Sequence, residues 1–156
     1  MSKVVYKMKP LFEERMRKLL KDDKDFEAFD KIVHVRSRKF IRCNTLKIDS
    51  DVLFARLNKR WNVERPFKDY CEIMLVVSKK NGESLGPGEL GNSIEHLLGY
   101  FYVQEISSMM SVFALNPEPG DLVLDLCASP GSKTTQMAAK MENFGTIIAN
   151  DVALSG

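Results

Sequence analysis

The residues with the strongest claim on chemistry lie between Leu122 and Asp151. The stretch LVLDLCASPGSKTTQMAAKM reads as a buried strand, a Cys-Ala-Ser-Pro-Gly-Ser turn and a helix. A Gly-containing turn of this kind aims backbone N–H groups of a helix N-terminus at one point, which favours an anion. GTIIANDV follows as a second strand of the buried type, and Asp151 closes it 20 residues after Gly131. Strand, turn, helix and strand make one βαβ unit, the start of a parallel, doubly wound sheet.

Three ligands compete for that turn. A nucleoside triphosphate needs G-x-x-x-x-G-K-[ST]. Counting back from Lys133, Ser132 and Cys127 stand where that motif has its glycines. A dinucleotide needs G-x-G-x-x-G, and only Gly131 is present, so the turn lacks the glycines that admit a pyrophosphate. A carboxylate such as Asp151 can accept hydrogen bonds from both hydroxyls of a ribose. A ribose-containing cofactor without a pyrophosphate remains, and S-adenosylmethionine fits that description. Its carboxylate would meet the turn amides, its ribose Asp151 and its ammonium Asp125. An empty βαβ unit with a Pro-Gly turn is the competing reading. Lys133 opposes the helix dipole; a bound anion or simple exposure to solvent would account for it.

The elements that must position this turn can be read upstream. Lys9 to Leu20 carries Leu11, Phe12, Met16, Leu19 and Leu20 at helical spacing, and Pro10 suits a first helical turn. A second helix is predicted over Asp25 to Val33, with caps in DDKD. KFIRCNTLKI reads as a strand ending near Thr45. DSDVLFARLNKRW reads as a helix capped by Asp49 or Ser50, with Val52, Leu53, Leu57 and Trp61 on its apolar face. CEIMLVVSK is a strand rich in apolar and β-branched residues. NGESLGPGELGN holds four glycines and one proline and is loop. Ser93 to Leu98 is a short helical turn and Tyr100 to Val103 is extended. EISSMMSVFAL is a helix with Ile106, Met109, Met110, Phe113 and Ala114 in its core stripe, stopped by NPEPGD.

The sequence has 156 residues, 44% of them apolar, enough to bury a real core. No apolar run approaches the roughly 18 residues of a membrane span, and MSKVVYKMKP has no apolar segment after its basic residues. A cytoplasmic location is expected, or a nuclear or nucleolar one in a eukaryote. Cys43, Cys71 and Cys127 are far apart and do not cluster with His34 or His96, so neither a zinc site nor a disulfide framework is expected. Residues 1–70 hold 19 Lys and Arg against 11 Asp and Glu, whereas 71–156 hold 4 against 10. A basic first half beside an acidic second half suits contact with a polyanion, or a solvated helical surface.

DLCASPGSKTTQMA resembles the cofactor motif of the Nol/Nop/Sun (Fmu-type) family of RNA cytosine-5 methyltransferases, D-x-C-A-x-P-G-[GS]-K-T. IRCNTLK, Ile41 to Lys47, is similar to the family's N-terminal domain signature. YVQEISSMM, Tyr102 to Met110, is similar to the segment that opens its catalytic domain. Three motifs in the family's order cover roughly Arg38 to Val152.

The resemblance implies an α/β chain in three parts. These are a helical arm at 1–36, a small α+β ferredoxin-like RNA-binding domain at 37–103, and from 104–156 the start of a Rossmann-like methyltransferase domain. It implies S-adenosylmethionine as cofactor, held by Cys127, Ala128, Ser129, Pro130, Gly131, Ser132, Lys133 and Asp151. Cys127 is read as part of this turn and not as a nucleophile. The expected partner is tRNA or rRNA, met by Arg36, Arg38, Lys39, Arg42 and Lys47. The family's catalytic cysteines stand in Pro-Cys and Thr-Cys motifs on later strands, which these 156 residues do not contain. The expectation is therefore the N-terminal portion of an enzyme, inactive alone and needing a C-terminal half on the same or another chain. The alternative is a non-catalytic RNA-binding module from a truncated or split gene.

Overall fold

The computed structural model describes residues 7–35 and 37–152. The chain forms two compact units, Met1–Ser37 and Arg38–Gly156. In the first, helices α1 (Pro10–Leu19) and α2 (Asp23–Val33) form a hairpin. Asp22 caps α2 by accepting from the Asp25 N–H at 2.9 Å, which satisfies one of the helix's orphan donors. The Phe29 ring centroid lies 6.3 Å from those of Phe12 and Phe26, with the rings tilted by 47° and 48°, and Arg17 lies 3.7 Å over Phe26. Among the described residues, no helix is long and apolar enough to cross a membrane.

The second unit begins with β1 (Lys39–Cys43), α3 (Ser50–Leu57), β2 (Trp61–Glu64), β3 (Ile73–Lys79), α4 (Ile94–Leu97) and β4 (Phe101–Val103). The four strands form one antiparallel sheet in the order β2-β3-β1-β4. A β-α-β-β-α-β chain with this order is the ferredoxin-like topology. Asp49 caps α3, its Oδ1 accepting from the N–H groups of Asp51 at 2.8 Å and Val52 at 3.2 Å.

One expectation is corrected here. The helix DSDVLFARLNKRW stops at Leu57, and Trp61 opens β2. Leu57 and Trp61 are four apart, so helical spacing continues across a turn that has already ended the helix. In the strand, Trp61 and Val63 are buried on one face while Glu64 is exposed, which is the two-residue period of a strand.

Strand parity divides the sheet. Ile41, Cys43, Val63, Met74, Val76 and Phe101 pack with Leu53, Leu57 and Trp61 into the main core. The opposite face carries Phe40, Arg42, Ile73 and Leu75, aligned as neighbours by the β1–β3 register. Ile73 and Leu75 are buried as well, so both faces of this sheet are covered.

After the sheet come α5 (Ile106–Leu115), β5 (Leu122–Asp125), α6 (Ser132–Lys140) and β6 (Thr146–Ala149). Strands β5 and β6 pair in parallel, Leu122 with Thr146 through Asp125 with Ala149. In α5 the buried positions are Met109 and Val112, whereas Met110 is 55% exposed and Ala114 is exposed. The expected core stripe is thus rotated. Gln136 of α6 donates to Met109 O at 3.2 Å and draws that side of α5 inward.

Truncating Leu53, fully buried under the sheet, to Ala should cost roughly 2–5 kcal/mol in urea unfolding. The acid limb of stability has a nameable contributor. The Trp61 indole N–H donates to Glu89 Oε1 at 3.0 Å, and this bond first, then the Gly86 N–H, lowers the carboxyl's pKa. A depressed carboxylate contributes stability above its unfolded pKa and loses it as pH falls through the folded value. Glu89→Gln should therefore reduce the loss of urea midpoint between about pH 7 and about pH 3.

Candidate cofactor site

The turn between β5 and α6 is held by two carboxylates, one at the end of each parallel strand. Asp125 Oδ1 accepts from the Cys127 N–H at 3.2 Å, and its Oδ2 accepts from the Thr134 hydroxyl at 2.7 Å. Both oxygens of Asp125 thus bond to the turn and its helix, which fixes this carboxylate at the end of β5. Asp151 reaches across from beyond β6, its Oδ2 accepting from the Ser129 N–H at 2.8 Å. Ala128 N–H donates to Asn150 O at 3.0 Å, and Asn150 N–H to Asp125 O at 2.8 Å. These bonds carry the β5–β6 pairing into the turn.

Gly131 stands at the start of α6 with φ +95°, and no side chain caps that helix. The bond before it, Ser129–Pro130, is cis. The first amides of a helix have no intrahelical acceptor, so Ser132, Lys133 and Thr134 present donors where the dipole favours negative charge. Cys127, Ser129, Pro130 and Lys133 are exposed; Ala128, Gly131, Ser132 and Asp151 are half-buried. The structure therefore places Cys127 to Lys133 along the turn and the start of α6, and brings Asp151 to them from beyond β6, at the carboxyl ends of two parallel strands. In open α/β sheets that is where ligands bind.

The expected polyanion face divides. Arg38, Lys39 and Lys47 are exposed, and Lys47 Nζ donates to Leu98 O at 3.1 Å. Arg36 lies outside the described residues. Arg42 is a correction: it is only 4% exposed. Its Nε donates to Gln104 Oε1 at 3.1 Å, and its Nη2 to Thr135 Oγ1 at 3.0 Å and Ser132 O at 3.3 Å. Burial pulls its pKa down to about 10. A guanidinium committed to protein acceptors is not a phosphate contact. Alternation in KFIRC places Arg42 on the face opposite Ile41 and Cys43; that this second face is also buried is what the strand pattern could not convey. Gln104 and Gln136, which complete the network through a bond of 3.1 Å, were not singled out by sequence. A glutamine on an amphipathic segment carries no local mark of burial.

Cys43 is buried, and burial pushes its thiol up to about 12. Cys71 and Cys127 are exposed. Among the described residues, no three His, Cys, Asp or Glu side chains converge as a metal site.

A ferredoxin-like domain joined to a βαβ unit with this Cys-Ala-Ser-Pro-Gly-Ser-Lys turn defines the N-terminal portion of a Nol/Nop/Sun-type RNA methyltransferase. Residues 8–106 match the N-terminal domain of 16S rRNA methyltransferase RsmF, residues 112–155 match 16S rRNA methyltransferase RsmB/F, and the chain belongs to this RsmF family. Ribosomal RNA small subunit methyltransferase F of Erwinia tasmaniensis is 39% identical over 149 residues, covering 94% of this chain and 30% of that protein. The crystal structure of PH0851 superposes with TM-score 0.77 at 30% identity over 96% of this chain and 35% of its own. NSun6 from Pyrococcus horikoshii with SFG shares the fold, with TM-score 0.78 at 19% identity over 94% of this chain and 59% of its own. The chain spans about 30% of the length of the curated relatives it matches.

Two glycines separate conformational from steric cost. A Cβ at Gly131 meets nothing within 4 Å, so Gly131→Ala carries only the cost of a positive φ, roughly 1–2 kcal/mol. At Gly145, φ +130°, a Cβ would come within 2.7 Å of Asp121 O. Gly145→Ala should destabilise further, by about another 1–3 kcal/mol, in the same denaturation experiment.

Proposed function

We propose that this chain is the N-terminal portion of an S-adenosylmethionine-dependent rRNA cytosine-5 methyltransferase acting in the cytoplasm. In this reading residues 1–36 are an arm, 37–103 an RNA-binding domain and 104–156 the start of the catalytic domain. One observation carries the cofactor assignment: Asp151 and the turn from Cys127 to Lys133 meet at the carboxyl ends of β5 and β6, with Asp151 bonded to the Ser129 amide. The carboxylate of the cofactor's methionine part would sit against the amides that open α6, and Asp151 would take the ribose hydroxyls. Membership of an rRNA methyltransferase family supports the reaction class.

The chemistry needs a thiolate to attack carbon 6 of the cytosine, which makes carbon 5 nucleophilic toward the methyl group. Cys43 is unsuited to that task, because a thiol raised to about 12 carries almost no thiolate at neutral pH. The nucleophile would come from polypeptide outside these 156 residues, and the chain alone would transfer no methyl group. RNA would be met by Arg38, Lys39 and Lys47, with Arg36 beside them in sequence.

Titration calorimetry with S-adenosylmethionine should show binding that Asp151→Ala weakens; unchanged affinity removes the ribose assignment. RNA binding by Lys and Arg should fall steeply with salt, with a log–log slope of roughly −0.7 per phosphate contact on single strands. Replacing Lys39 and Lys47 by Gln should flatten that slope. A flat slope in the unaltered chain eliminates the proposed RNA face. RNA binding without cofactor binding would instead support a non-catalytic RNA-binding module.

A further inference from the structure

Arg42 occupies a position on β1 where the neighbours across the ladder are Ile73 and Tyr102. It is as buried as the core around it, and so are Gln104 and Gln136. The hydrogen bonds form a directed chain. The Arg42 guanidinium donates to Gln104 Oε1, Gln104 Nε2 donates to Gln136 Oε1, and Gln136 Nε2 donates to Met109 O. The other end of the guanidinium donates to Ser132 O and Thr135 Oγ1. Both acceptors lie in the first turn of α6, directly after Gly131, and Thr135 Oγ1 also donates to Gly131 O at 2.8 Å.

A buried charge is costly unless it is hydrogen-bonded, and loss of one partner leaves the other unsatisfied. An apolar residue of similar length would fill the same space without directing anything. Arg42 instead supplies fixed donors aimed at the segment that starts the cofactor turn's helix. Its planar fork makes those bonds at defined angles, which a lysine ammonium does only in part.

We propose that Arg42 is a positioning residue for the cofactor turn: through Ser132 O and Thr135 Oγ1 it orders the first turn of α6 against the four-stranded sheet, so that the small domain holds the cofactor site in its binding geometry. The inference rests on the cofactor reading above. Coupling of this kind is reciprocal, so a bound cofactor also tightens the hold of α6 on the small domain's sheet.

The test uses the full chain and two readouts: amide hydrogen exchange and calorimetric titration with S-adenosylmethionine. In Arg42→Met, exchange over residues 131–137 should quicken roughly ten-fold while β2 and β3 stay protected. Cofactor affinity should fall by about the same factor, and Arg42→Lys should recover part of both. Unchanged exchange at α6 overturns the inference. Faster exchange with unchanged affinity overturns it too, since the contact would then serve packing alone. If Arg42→Met exposes the whole sheet, Thr135→Val addresses the same contact from the helix side: local quickening with weaker binding supports the inference, and wild-type behaviour overturns it. An unaltered chain that binds no cofactor overturns the cofactor reading instead, and the exchange readout still decides whether Arg42 orders the turn.

Discussion

The second unit depends on one constraint: its four-stranded sheet has material to bury on both faces. Ile41, Met74 and Val76 point to one side and Ile73 and Leu75 to the other, all of them nearly inaccessible. A ferredoxin-like chain supplies helices for only one of those sides. The second is met by the segment that follows β4. Arg42 bonds to α6, and the rings of Tyr70, in the β2–β3 connection, and Phe113 of α5 lie 4.4 Å apart. The two parts of this unit are therefore one folding problem. The placement of β5, β6 and the turn between them follows from how α5 and α6 settle on a sheet built earlier in the chain.

This arrangement explains what the sequence disclosed and what it withheld. Strand β3 is legible from its run of apolar and β-branched residues, helices α1 and α5 from helical spacing, and α6 from its place after the Gly-containing turn. Asp22, Asp49 and Ser93 each mark a helix start by a bond their own side chains make. The turn between β5 and α6 is legible for a related reason. Its glycine, its two carboxylates and the helix after it lie within 30 residues and are organised by local bonds. Strand β2 was hidden because four residues give a two-residue period little room, and Trp61 falls at helical spacing from Leu57. Arg42, Gln104 and Gln136 were hidden for a deeper reason. Their burial is a property of the second cover on the sheet, joining positions 62 and 32 residues apart, and no window along the chain contains it.

The parallel pair shows the complementary case. Leu122, Leu124 and Ile148 are more than half exposed, while Val123 and Ile147 on the other face are partly covered. Parallel sheets are ordinarily covered on both sides. The turn forms its local bonds all the same, because Asp125 accepts from Cys127 and Thr134 and Asp151 from Ser129. Formation of the loop and coverage of the strands that carry it are separate matters here, one short-range and one long-range.

The three thiols have a practical use. Alkylating reagents need a thiolate, and burial takes Cys43 out of that chemistry. Cys71, in the loop before β3, and Cys127, at the mouth of the turn, are exposed. A maleimide dye pair should thus label the chain at two natural positions without any cysteine being removed. Labels at these sites report on the loop before β3 and on the turn to which Asp151 bonds.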